Sequence, residues 1–243
     1  MLFLTEIQKA ATQGRTKPFL CVGEDGRSYY AKGKAATASG LMKEWIGAHL
    51  ALAFGLPIPP FQMAYVDRRL VEAHSSEAVE YLGSGEVFVS EQIPAIMDFK
   101  HQFLKHVPQS LQRDLLFFDL WIENADRTLS KQFSGNPNLL WQSELQKLYV
   151  IDHNLAFDST FNLQDFKETH VCQAHFSTSQ LDILDKQALE QRLQNSLLSW
   201  TQACDTMSEE WKAQNEDSKI FDANVTFQRL QSEAHGGIWS KWL

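Results

Sequence analysis

Three side chains able to offer oxygen to a cation or a hydroxyl, Asp126, Asn136 and Asp152, punctuate one stretch of the sequence, residues 121–157. Asp126 sits in a polar turn after a strongly apolar run. Asn136 opens Asn136-Pro137-Asn138, and an apolar segment follows. Asp152 ends a second strand-like run at 148–151. This is the layout of a phosphoryl-transfer site. One carboxylate orients the attacking hydroxyl, while an amide oxygen and a second carboxylate hold the magnesium ions that neutralise the phosphates. Magnesium is a hard cation that keeps several waters, so one carboxylate and one amide suffice from the protein. The apolar runs 138–141 and 148–151 suit two short paired strands that present Asn136 and Asp152 at one edge.

Such a site needs a nucleotide-holding partner, and the first part of the chain supplies candidates. Residues 19–22 read as a strand, Asp25-Gly26 as a hairpin turn, and 28–32 as the returning strand ending near Lys32. A helix is predicted over 41–54, stopped by Gly55 with Pro57 behind it, and Glu44 lies in its first turns. A strand lysine contacting phosphates and a helix glutamate holding that lysine are the start of a kinase small lobe. Lys34 is the rival of Lys32; Gly33 between them favours Lys32, because it is expected to end the strand. Residues 4–13 read as a short helix or arm, 62–71 as a strand, and 87–93 as the last strand before a hinge. Backbone groups around Glu91, Gln92 and Ile93 would then read adenine. Residues 14–17 suit either a phosphate-covering loop or a surface turn.

Beyond Pro94 the pattern turns helical. Residues 97–106 read as a short helix and 108–123 as a central buried one, apolar on nearly all faces after Leu115. A polar segment spans 159–178, a long helical pattern 178–203, and a shorter helix 208–214. His170, Cys172 and His175 have the look of metal ligands, but no fourth ligand lies nearby and chance placement is the better reading. Trp239 and Trp242 look exposed in the tail and are expected to pack on the helical part. The division is therefore a β-rich small lobe, 1–93, and a mainly helical large lobe, 94–243: a two-lobed, kinase-like α+β fold.

Composition bounds the partners. The formal net charge is -8 over 243 residues, which argues against a nucleic-acid or anionic-membrane surface but not against locally bound ATP. Three widely spaced cysteines without a CxxC pair indicate neither a disulfide framework nor a zinc site, and a reducing cytoplasm is expected. The N-terminal residues lack the pattern of a signal peptide. No apolar run reaches the ~18 residues of a bilayer span.

The order Asn124-x-Asp126-Arg127-Thr128, Asn136-Pro137-Asn138-Leu139-Leu140 and Ile151-Asp152-His153 resembles the HipA-like kinase domain proteins, short bacterial relatives of the HipA toxin kinases. Residues 14–18, Asp25-Gly26, Lys32, Glu44 and 55–57 resemble that family's small lobe, so the likeness covers residues 12–160. It implies an ATP- and Mg-dependent kinase acting on a hydroxyl, on Ser or Thr of a protein, with Asp126 as the catalytic-loop aspartate. Spacing alone would also allow a lipid or small-molecule alcohol. The family places its metal asparagine five positions after the aspartate, where Lys131 stands here. Residues 131–135 are read as an insertion, and Asn136 then matches the metal asparagine and Asp152 the second ligand. His153 either lies near the phosphates or is structural; Arg127 is expected to brace the loop rather than touch substrate. An antitoxin-like partner is a further expectation from the resemblance. The insertion also motivates the alternative of a nucleotide-binding pseudokinase module without transfer.

Overall fold

Leu2, Leu4 and Ile7 are buried while their neighbours face solvent, and Leu2–Ala10 forms strand β1 rather than the expected helix or arm. The reason is local. A register shift between Leu4 and Glu6 puts Leu4 and Ile7 on one face, so a pair three residues apart imitates helical spacing. This computed structural model describes residues 1–11, 16–129, 135–178, 181–218 and 220–242. Gly14 and Arg15 of the expected phosphate-covering turn, residues 131–134 of the insertion and 179–180 of the long helical pattern lie outside the described residues.

The protein is α+β and divides into two units. The first comprises Met1–Trp45, Pro59–Pro94 and Thr206–Phe221; the second comprises Ile46–Ile58, Ala95–Asp205 and Asp222–Leu243. Two segments therefore depart from a simple division after residue 93. Helix α1, Thr37–Phe54, contributes residues to both units, and it starts four residues before the expected 41.

In the first unit, β2 (Phe19–Gly23) and β3 (Ser28–Lys32) flank a turn where Gly26 has φ 77°, a left-handed conformation that glycine adopts without steric cost. With β4 (Phe61–Val66) and β5 (Gly85–Glu91) they close a barrel in the order β1-β2-β3-β5-β4. Only β1 and β4 pair in parallel. Closure leaves no open edge, and Leu4, Phe19, Cys21, Ala31, Val66 and Val89 fill the interior. Burial pushes the Cys21 thiol up to about 12, so it packs as a small apolar group. The expected strand over 62–71 stops at Val66, because Asp67 caps helix α2 (Arg68–His74) by accepting from the Arg69 N–H at 2.7 Å. The helix Glu209–Ser218 docks on β5: Trp211 is buried and its Nε1 donates to Glu86 O at 2.9 Å.

In the second unit, α3 (Gln109–Trp121) is the buried centre. Leu115 to Ile122 are without exposure among their hydrophobic members, each such side chain contributing about 1.5–3 kcal/mol. Strand β6 (Ile96–Asp98) pairs with β7 (Leu139–Gln142), and β7 with β8 (Lys147–Val150). The helix expected over 97–106 is thus a strand followed by a 3-10 turn, His101–His106. The 159–178 segment holds two short helices, α4 (Leu163–Thr169) and α5 (Ala174–Thr178). The long pattern begins as α6 (Ile183–Leu197) and continues in Ser199–Asp205. Helix α1 ends at Gly55, φ 93°, where Arg192 of α6 donates to Phe54 O at 2.9 Å, a cation placed at a helix C-terminus. Trp239 and Trp242 are not exposed tail residues: both stack near Phe117, at 5.2 and 5.6 Å between ring centres. No helix among the described residues is long and apolar enough to cross a membrane.

Candidate active site

The turn after α3 holds Asp126 half-buried, with two amides on one of its oxygens. Asn136 Nδ2 and Asn138 Nδ2 each donate to Asp126 Oδ2 at 2.8 Å. The insertion does not separate Asn136 from the aspartate, because the excursion is pinched at its base. Thr128 N–H donates to Asn136 O at 2.9 Å, and Asn136 N–H donates to Thr128 Oγ1 at 3.2 Å. Gly135 lies so close that a Cβ there would meet Thr128 O at 2.2 Å. Burial raises the Asp126 pKa and the charge of Asp152 raises it further, against the lowering effect of the amide bonds and Arg127. Asp126 and Asp152 are therefore within electrostatic reach of each other.

Beneath this turn lies a buried polar network that the sequence analysis missed. Asp119 of α3 has no exposure and accepts from Asn124 Nδ2 (3.0 Å), Arg127 Nε (2.7 Å) and His170 Nε2 (3.0 Å). The Cys172 N–H donates to His170 Nδ1 at 3.1 Å, so that nitrogen carries no proton and His170 is neutral. Burial lowers the His170 pKa, in keeping with that tautomer. Burial alone would raise the Asp119 pKa, but the Arg127 charge and the bonds from His170 and Arg127 hold it at about 2. Arg127 then spends Nη1 on three carbonyls: Asn138 O at 2.5 Å, Ile151 O at 3.1 Å and Pro137 O at 3.3 Å. One guanidinium thus ties α3 to the residues leading into β7 and to the end of β8. This is the loop-bracing role expected of Arg127. The sequence signal was a lone carboxylate inside Leu115-Leu116-Phe117-Phe118-Asp119-Leu120-Trp121, which must be paired if buried. His170 and Cys172 belong to this network, not to a metal cluster; no group of three or more His, Cys, Asp or Glu suited to a metal occurs among the described residues.

Asp152 follows β8 with φ 63°, a left-handed conformation that Asp tolerates better than most residues. His153 beside it is 2% exposed, edge-on to Phe118 at 6.2 Å. Its ring is buried in packing, which favours the structural alternative. Gly47 of α1 makes room for it: a Cβ there would lie 2.6 Å from His153 Cβ. Gly→Ala inside a helix ordinarily stabilises by ~0.5–1 kcal/mol. Gly47→Ala is expected to destabilise instead, by about 1–3 kcal/mol, as overpacked sites do. A thermal melt showing an unchanged or raised midpoint would overturn this.

In the first unit, Lys32 Nζ bonds Glu44 Oε2 at 2.9 Å, with Lys32 9% and Glu44 3% exposed. Lys34 is exposed. Regular pairing of β3 ends at Lys32, opposite Phe88. Gly33 is pressed against the Leu82 carbonyl, where a Cβ would come within 2.0 Å of the oxygen. At the end of β5, Glu91 N–H donates to Pro60 O (2.7 Å) and Gln92 N–H to Ser28 O (2.8 Å). Of the three residues expected to read adenine, two therefore have their N–H groups committed within the barrel.

The second-unit residues fit a divalent cation by the chemistry of their donors. Asp126 and Asp152 repel one another, and Asn136, whose Nδ2 is on Asp126 Oδ2, carries a neutral amide oxygen as well. Oxygen donors that carry negative charge suit a hard cation.

A family model described as HipA-like kinase matches residues 4–242. No curated protein matches the chain. Among solved structures, the Helicobacter pylori proinflammatory kinase CtkA is similar at TM-score 0.49 and 12% identity, over 93% of this chain and 95% of that one.

Proposed function

The chain belongs to the HipA-like kinase family, and from that premise we propose an ATP- and Mg-dependent phosphotransferase that acts on Ser or Thr of a protein. The observation that carries this reading is Asp126 Oδ2 held by Asn136 and Asn138, with the Asp152 charge nearby. Both amides occupy Oδ2, which leaves Oδ1 to orient an acceptor hydroxyl. Asn136 and Asp152 would hold magnesium, which when bound neutralises charge on the phosphate oxygens. Lys32, fixed by Glu44, would contact phosphates. Ile93 would read adenine through its backbone, since the Glu91 and Gln92 N–H groups are engaged. The acidic net charge supports a protein acceptor over a nucleic-acid one.

The test is transfer of labelled γ-phosphate to protein substrates in a lysate, with lipid and small-alcohol fractions run beside it. Label appearing on Ser or Thr supports the proposal; label only on lipid or small alcohols sinks the protein-acceptor part. Nucleotide binding has its own readout. Mg-ATP at a hundredfold excess over its dissociation constant should stabilise the fold by about 2.7 kcal/mol. A melting temperature unmoved at millimolar Mg-ATP would count against the nucleotide assignment altogether.

A further inference from the structure

Asn136 follows an excursion that separates it in sequence from Thr128, yet its amide meets Asp126. Backbone pairing accounts for only part of this. Thr128 N–H, shared between Asp126 O and Asn136 O at 2.9 Å each, fixes the strand-like neck. The flanking backbone is fixed from the other side, where Thr128 bridges to His170, Leu129 N–H donates to Thr169 O at 3.2 Å, and Val171 N–H donates to Arg127 O at 3.0 Å. Of these bonds, one ends on the Asn136 carbonyl and none on its N–H. That N–H donates to the Thr128 hydroxyl oxygen at 3.2 Å. Gly135 lies against the Thr128 carbonyl and hydroxyl, where a Cβ would come within 2.2 and 2.6 Å of their oxygens.

We propose that Thr128 is a positioning residue for the metal-ligating amide of Asn136, acting through its side-chain hydroxyl, with Gly135 as the close-packed partner that makes the bond possible. The inference rests on the assignment of Asn136 as a ligand. The hydroxyl touches neither cation nor substrate; it orients the peptide from which the ligand side chain projects. Partners of this kind typically change metal affinity or activity by 10–100-fold when removed. Thr128→Val isolates the hydroxyl, because it keeps the β-branched shape and every backbone bond of the neck. The Asn136 N–H is on an exposed residue, so water replaces the lost acceptor and the fold is retained.

The experiment is direct binding of Mn(II) to the full chain with a non-hydrolysable ATP analogue, followed by the loss of the free-ion EPR signal. Thermal melting is run in parallel. Thr128→Val is expected to weaken Mn(II) binding about tenfold or more with an unchanged melt. Thr128→Ser, which keeps the hydroxyl, is expected to bind like the wild type. Gly135→Ala is expected to weaken binding as Thr128→Val does. Wild-type binding by Thr128→Val overturns the proposal, as does equal weakening in Thr128→Ser. Asn136→Ala separates the two layers. If it too binds Mn(II) normally, the ligand assignment fails; if it weakens binding while Thr128→Val does not, the positioning role alone fails.

Discussion

Replacing Asp126 with asparagine is expected to lower phosphoryl transfer by about 10²- to 10⁴-fold, the range for losing a positioned proton acceptor. The substitution conserves shape, and an asparagine oxygen can still accept from Asn136 and Asn138, whose 2.8 Å bonds both end on one oxygen. What is lost is the other carboxylate oxygen as a charged acceptor for a hydroxyl proton. Nucleotide binding should survive, since Lys32 and Glu44 lie elsewhere in the chain and pair with each other. The variant is therefore expected to keep the Mg-ATP-dependent rise in melting temperature while transfer falls. Asp126→Asn with more than a tenth of wild-type transfer would remove Asp126 from the proposed role. Loss of transfer together with loss of the thermal shift would point to a damaged site instead.

The second large effect concerns stability. Asp119→Ala should destabilise the fold by about 3–5 kcal/mol, because it strands the fully buried Arg127 guanidinium without its counter-ion. For a chain of this length that corresponds to a fall in melting temperature of about 10 °C. The same carboxylate predicts an acid dependence. Its folded pKa of about 2 lies below the ordinary 3.8. The stability it contributes is thus fully present above 3.8 and is lost as pH falls toward 2. A difference of that size amounts to about 2 kcal/mol. This is less than the cost of truncation, because protonation leaves a hydrogen-bonding acid in place and truncation leaves nothing. The gap between wild type and variant should therefore narrow by about 2 kcal/mol between pH 5 and pH 2 in denaturant titrations. His170 adds to the loss in the same direction, starting below 6.5, since burial favours its neutral form. A gap that stays constant with pH would show that Asp119 is not ionised in the folded protein.

The sequence carries the local parts of this site more readily than the long-range ones. Strand β3, its turn at Gly26 and the stop of α1 at Gly55 were readable because each depends on neighbours in the chain. The pairing of Lys32 rather than Lys34 with Glu44 followed from Gly33, which ends the regular strand pairing. Strand β1 read as a short helix or arm because a register shift between Leu4 and Glu6 changed its period, and β6 was missed because three residues of strand are decided by their partner β7. Asp119, Asn124 and His170 were invisible as a unit. Their meaning comes from a contact between α3 and a residue 51 positions later, which no periodicity reports. The contact of Asn136 with Asp126 across the residues read as an insertion was unreadable for the same reason: the bonds that hold it join residues on either side of them.

That closed base has a practical consequence. Thr128 and Asn136 are already joined, and for a loop that starts and ends at such a pair each doubling of length costs only about 0.6 kcal/mol. A short epitope or a spectroscopic tag inserted between the two is expected to leave the Asp126 turn folded, which a thermal melt would check.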